Sequence, residues 1–184
     1  MSRKYRFGDQ QHLHFVTFTT IHWIDVFIRE EYREILVNSI KYCQNNKGLE
    51  VYGYCFMTSH IHMILGTSGT SLLEGVVRDM KSFTSTQMHR ILENPIAHQE
   101  SRKEWMLWMM KRAGTKNSNN NDFQFWQQHN HPIEIWSPEV FDQKLDYIHM
   151  NPVVSGFVEN PEDWRYSSAV NYSGRKGIID IVYA

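Results

Sequence analysis

Two short constellations in this 184-residue sequence can do chemistry. The first is His60-Ile61-His62, in a run predicted as a strand from His60 to Gly66. Side chains at i and i+2 of a strand point to one face. Both imidazoles then project in parallel while Ile61 enters the core, and two ring nitrogens can ligate one metal ion. The plain alternative is a pair of rings on a solvated face. The second constellation lies on the last predicted helix. Phe141, Leu145 and Ile148 fall at i, i+4 and i+7 and should face the core. Lys144, Tyr147 and Asn151 fall at i, i+3 and i+7 on the neighbouring stripe. Tyr147 thus has a cation one turn before it and an amide one turn after it. A phenol with a free pKa of about 10 is a poor nucleophile and needs a base, a cation or a metal-polarised target. Lys144 can stabilise the phenolate and Asn151 can bring an oxygen to the metal. The plain alternative is a core-boundary tyrosine with its hydroxyl in water.

The elements that must position these residues follow from pattern. Leu13 to Thr20 is β-branched and aromatic, a strand signal. From Arg29 to Gln44, Tyr32, Ile35, Leu36, Ile40 and Cys43 recur at helical spacing, with Gly48 as a stop. Glu50–Met57 and the histidine strand are expected to be joined by a tight turn at Thr58-Ser59. Ser71 and Glu74 read as a capping box opening a helix that carries Leu72, Leu73, Val76, Val77, Met80, Phe83 and Met88. Residues 98–122 read as an insertion, helical first and then loose, ending in the asparagine-rich run 117–121. His131 to Ile135 is a fourth strand. Ser137 and Pro138 open the last helix, and Asn151-Pro152 should close it. The order β-α-β-β-α-(insertion)-β-α is that of a ferredoxin-like split βαβ fold with an antiparallel sheet and one extra C-terminal helix.

Composition bounds the function. A chain of this length, 41% hydrophobic, suits one compact domain over 1–184, with the stretch 98–122 inserted into it. Cys43 and Cys55 are too few for a disulfide framework or a zinc cluster and read as reduced thiols. The polar N-terminus and the lack of a long apolar run point to a soluble, cytoplasmic protein with no membrane partner. A net charge of -1 disfavours a broad electrostatic hold on duplex DNA. The charge is uneven, however. Residues 101–116 hold Arg102, Lys103, Lys111, Arg112 and Lys116 against one acid, Glu104.

The segments VYGYCFMTSHIHMIL (51–65) and KLDYIHMNPVVSGFVENPEDWRYSSAVNY (144–172) resemble the REP-associated tyrosine transposases. These belong to the single-tyrosine transposases of the HUH endonuclease superfamily, named for a His-hydrophobic-His motif. The pairing of HIH with a distant YIHMNPV and PEDWRYSS is far more specific than either part, and the resemblance runs from the HFVTFTT strand to the tail. It implies that His60 and His62 bind a divalent metal, Mg²⁺ or Mn²⁺, that Tyr147 is the nucleophile, and that Asn151 is a third ligand. It further implies cleavage and rejoining of single-stranded DNA at hairpin or palindromic ends through a 5′-phosphotyrosine link. No organic cofactor is needed, because bond energy is retained in that link. The stretch 98–122 departs from the shortest family members.

DNA contacts are expected from Trp105, Trp108, Lys111 and Arg112, an aromatic and basic stretch suited to stacking and phosphate binding. The same tryptophans and methionines would equally pack a satellite core or a dimer contact. Arg78 and Lys81, on the outer face of the second long helix, read as phosphate contacts or as solvated charges. Arg3-Lys4-Tyr5-Arg6 reads as a flexible arm, and His131 as a neighbour of the site or a structural histidine. A homodimer exchanging active-site tyrosines is one arrangement the resemblance allows. Two other classes fit the same residues: a non-catalytic nucleic-acid-binding module, and a metal-dependent phosphodiesterase that uses water.

Overall fold

A computed structural model describes residues 7–69, 71–94, 100–117, 122–128 and 131–184. Its centre is a four-stranded sheet of β1 (Leu13–Thr19), β2 (Leu49–Phe56), β3 (His60–Thr67) and β4 (Ile133–Ile135), ordered β2-β3-β1-β4. Every neighbouring pair is antiparallel. β1 and β2 therefore run parallel with β3 slotted between them, which is the split βαβ arrangement of a ferredoxin-like fold. The alternation of side chains gives the sheet two buried faces. Val16, Phe18, Ile61, Met63 and Leu65 join the larger core with helices α1 (Glu30–Lys47) and α2 (Leu73–Glu93). Phe15, Cys55, Met57 and Ile64 face helix α4 (Pro138–Val154) through Leu145 and Ile148.

Helix α1 buries Tyr32, Leu36, Ile40 and Cys43 and stops where Gly48 takes a left-handed φ of 67° and donates its N–H to the Cys43 carbonyl. Glycine meets that conformation without a Cβ clash. Helix α2 departs from the expected capping box. Its N-cap is Leu72, without a side-chain hydrogen bond. The Glu74 N–H instead donates to the Gln10 side chain at 3.1 Å. A residue from the far N-terminal segment does the work assigned to Ser71, and no local spacing reveals that. Leu72 and Phe83 are exposed, and the buried stripe passes through Thr84, whose hydroxyl accepts from Trp126 Nε1 at 2.9 Å. Helix α4 opens as expected, Ser137 accepting from Val140 N and Pro138 following, but it runs past Pro152 to Val154. Proline in the last turn deletes one backbone donor only, and Pro152 is itself buried against the fold.

The stretch 98–122 contains helix α3 (Lys103–Thr115), and its Met106 and Met110 enter the larger core. Residues 118–121 of the expected loop and the arm Arg3–Arg6 lie outside the described residues. Just before α3, the Glu100 carboxylate is buried between Arg29 and Arg102, at 2.8 and 3.0 Å. The Arg102 guanidinium also reaches the Asp25 carbonyl at 3.0 Å, so this cluster ties α3 to the turn before α1. The hydrogen bond from Arg102 holds the Glu100 carboxyl down at about 2, against the opposing cost of burial. A carboxyl lowered on folding stabilises the fold above its unfolded pKa, and that stability is lost as pH falls toward the folded value. Glu100→Gln is therefore expected to cost on the order of 3 kcal/mol at pH 7 and to remove part of the acid unfolding between about pH 5 and pH 2. Urea melts over that range check it, and a parallel pH dependence in the variant would refute it.

Cys43 and Cys55 are both free and buried. Among the described residues no helix is long and apolar enough to cross a membrane.

Candidate active site

The register of β1 on β3 sets Thr17 opposite His62 and Thr19 opposite His60, all on the α4 face of the sheet. Ile61 is fully buried on the other face. The two imidazoles lie with ring centroids 4.8 Å apart. His62 is 4% exposed, stacks on Phe15 at 5.7 Å, and meets the Thr17 hydroxyl through Nδ1 at 2.8 Å. With the proton on Nδ1 donated to Thr17, Nε2 keeps its lone pair facing the site. His60, half-buried, meets the Ser59 hydroxyl through Nδ1 at 3.2 Å and the edge of Trp23 at 5.3 Å.

Helix α4 crosses this face because β2 leaves room for it. A Cβ at Gly53 would sit 2.9 Å from Leu145 Cδ1 and 3.7 Å from Ile148 Cδ1. Gly53→Val is expected to destabilise the fold by about 1–3 kcal/mol through overpacking and to lift α4 from the sheet. Denaturant unfolding tests this, and unchanged stability would show that α4 seats differently. With Leu145 and Ile148 inward, the neighbouring stripe meets the histidines. The Tyr147 ring lies 5.1 Å from His62 and 5.9 Å from Phe15. Tyr147 is 51% exposed, and its hydroxyl has no hydrogen-bond partner among the described residues. Lys144 Nζ stands 5.3 Å from the Phe15 ring, so cation and phenol share one aromatic floor. The Asn151 amide nitrogen is 3.3 Å from His62 Nε2, although the two residues are 89 positions apart.

Burial disfavours the charged form of both rings. Burial drives His62 down to about 3, and neighbouring His60 pushes the same way. Burial also lowers His60, with Asp25 opposing. Cys55, paired with His62 across β2 and β3, is fully buried, and burial pushes its thiol up to about 12. Among the described residues no group of three or more His, Cys, Asp and Glu side chains is placed to hold a metal. The donor set at this site is two imidazoles and one amide. It suits a divalent ion, since ligands of an octahedral ion lie roughly 3 Å apart. A half-turn of the Asn151 amide exchanges its nitrogen for Oδ1 in that position. Thr17, Ser59 and Trp23 escaped sequence reasoning. Strand register brings Thr17 to the site and a backbone turn brings Trp23, and local spacing reveals neither.

The expected DNA contacts scatter. Arg78 is exposed and pairs with adjacent Asp79 at 3.1 Å. Lys81 is not on an outer face: it turns inward, donates to the Gln127 carbonyl at 3.2 Å and lies 5.4 Å from the Phe18 ring. That burial lowers its amine to about 8. On α3, Trp105 and Trp108 are exposed, so neither belongs to a satellite core. Lys111 pairs with Glu93 at 2.8 Å, and Arg112 lies over Trp108 at 5.2 Å. His131 stands exposed before β4.

A ferredoxin-like antiparallel sheet carrying a His-hydrophobic-His strand beneath a tyrosine-bearing helix defines the class: this is an HUH fold. Comparison with known proteins agrees. The model of the family "Transposase IS200 like" matches residues 9–112, more than half of the chain, and the chain belongs to that family. The match includes His60 and His62, whereas α4 lies beyond it. Among solved structures, a REP-associated tyrosine transposase bound to a REP hairpin is similar over 100% of this chain and 95% of its own, with TM-score 0.66 and 16% identity. A candidate transposase from Deinococcus radiodurans R1 is 17% identical over 80% of this chain and 94% of its own, with TM-score 0.44. No protein of curated function matches the chain significantly.

Proposed function

We propose that this transposase is a single-strand DNA endonuclease and strand transferase with Tyr147 as nucleophile and hairpin or palindromic ends as substrate. The observation that carries the reading is the convergence of His60, His62, Tyr147 and Asn151 from β3 and α4 at one open site. The family places the chain among DNA-transposing enzymes, and the related structure holding a REP hairpin suggests the form of the substrate.

His60, His62 and Asn151 would hold a divalent cation, Mg²⁺ or Mn²⁺, which supplies Lewis acidity to a scissile phosphate. Thr17 fixes the His62 ring, and the sheet excludes water behind it. Lys144 favours the phenolate. The Tyr147 oxygen bonds to phosphorus, the bond from phosphorus to the 3′-oxygen breaks, and that oxygen takes a proton to leave as a 3′-hydroxyl. The phenolic proton passes to solvent. Attack by a 3′-hydroxyl on the 5′-phosphotyrosine reverses these steps and reseals a strand.

The test is incubation of the protein with Mg²⁺ or Mn²⁺ and an end-labelled single-stranded hairpin, followed by denaturing electrophoresis. A label that migrates with the protein supports the reading. Cut DNA without an adduct would instead establish a water-using phosphodiesterase, and binding without any cutting a non-catalytic module. The same gel with one labelled and one unlabelled strand shows rejoining.

A further inference from the structure

The turn that brings Trp23 to His60 is strained. His22 and Trp23 are consecutive non-glycine residues in the left-handed region, at φ 55° and 56°. Such residues cost on the order of 1–3 kcal/mol each and persist where the surroundings hold them, often at functional sites. Here the surroundings do hold them. The Thr20 hydroxyl lies 2.8 Å from the Ile24 carbonyl and 2.9 Å from the Ser59 carbonyl, and the Ile21 N–H donates to the Phe125 carbonyl at 2.7 Å. The outcome is a tryptophan 59% exposed, set edge-on to His60.

The same turn forms one wall of an open groove whose other wall is α3. Its lining mixes apolar Ile21, Met109 and Ala113 with the amide side chains of Gln124 and Gln127, and its charged residues among the described ones are Arg112 and Lys116. Among the described residues no carboxylate lines it, in a chain whose net charge is -1. Arg112 and Lys116 are exposed, and Arg112 is stacked over the half-exposed ring of Trp108. Lys111, one position away, is turned to Glu93 and adds nothing to the groove. Two cations one turn apart, one of them lying over an exposed indole, are elements that grip an unpaired strand, and Trp23 follows His22 of the groove wall on the side toward His60: phosphates meet the charges and bases lie on the rings. A rigid duplex offers no unstacked base to either indole.

We infer that this groove binds an unpaired DNA strand and delivers it past Trp23 to the histidines. Arg112 and Lys116 take its phosphates, and Trp23 and Trp108 stack its bases. The inference rests on the strand-transfer reading for its direction, but it is tested apart from it.

The probe is a fluorescein-labelled single strand of about 12 nucleotides, with anisotropy measured across a salt series on the Tyr147→Phe protein in EDTA, so that neither cleavage nor metal contributes. Arg112→Gln with Lys116→Gln is expected to weaken binding roughly tenfold and to flatten the dependence of log Kd on log salt by about 1 to 1.5. Trp23→Ala is expected to weaken binding about tenfold with the salt dependence unchanged. Lys41→Gln with Lys176→Gln removes the same charge away from the groove and should leave both quantities as they were. Equal losses in the two double variants, no loss in the groove pair, or equally tight binding of the matching duplex would overturn the inference. Groove-dependent binding in a protein that forms no covalent adduct would uphold the groove and sink only the strand-transfer reading.

Discussion

Tyr147→Phe is expected to abolish covalent capture of hairpin DNA, lowering adduct formation by roughly 10⁴-fold or more. The substitution removes one oxygen and keeps the ring. The edge contacts to His62 at 5.1 Å and Phe15 at 5.9 Å persist, and so does the seating of α4. The hydroxyl bonds no described residue, so its loss leaves no buried partner orphaned and stability should change by no more than about 0.5 kcal/mol. A variant that folds, binds the hairpin and forms no adduct is the result that assigns the nucleophile. An adduct that persists would move the assignment to another residue. Lys144→Met serves as the graded companion. Lys144 reaches the site only across the Phe15 ring, so its loss should slow attack without abolishing it.

The second large effect is expected at the histidines. His60→Ala should weaken Mn²⁺ binding by about 100-fold or more, measured by calorimetric titration, and metal-dependent cleavage should fall with it. The ring is half-buried, and its polar partner, the Ser59 hydroxyl, can turn to solvent once the ring is gone. The melting temperature is therefore expected to stay near that of the parent, which separates a ligand from a structural histidine. His62 is less suitable for this purpose. Its removal would open a cavity beside Phe15 and leave the Thr17 hydroxyl without its ring partner. Mn²⁺ binding unchanged by His60→Ala would refute the metal site, whatever happened to cleavage.

Much of the framework was legible in the sequence because it is written in short-range period. Alternation places Ile61 on one face and His60 and His62 together on the other, and β3 shows that, although α4 covers the histidine face and leaves His62 buried. The 3.6-residue period sent Leu145 and Ile148 to the core and left Lys144, Tyr147 and Asn151 on a common stripe. Gly48 marked the end of α1 because only a residue without a Cβ meets its left-handed conformation freely. Where local signals compete with packing, the sequence misled. Asn151-Pro152 predicts a stop, yet Pro152 is buried and the helix continues for two more residues. Spacing puts Lys81 on the outer face of α2, as a phosphate contact or a solvated charge, yet Phe18 and the Gln127 carbonyl draw it in.

What the sequence by itself determined about this protein is therefore the contents and facing of each half of the site: two histidines on a strand, and a tyrosine with its amide on a helix. Only the tertiary structure decided that the halves meet. The insertion of β3 between β1 and β2 sets Thr17 against His62, and the missing side chain at Gly53 lets α4 settle close enough for Tyr147 and Asn151 to reach the imidazoles. Period fixes which way a side chain points along its own element. Register, crossing and the strained turn at Trp23 depend on contacts between residues far apart in the chain, and no spacing within a single element contains them.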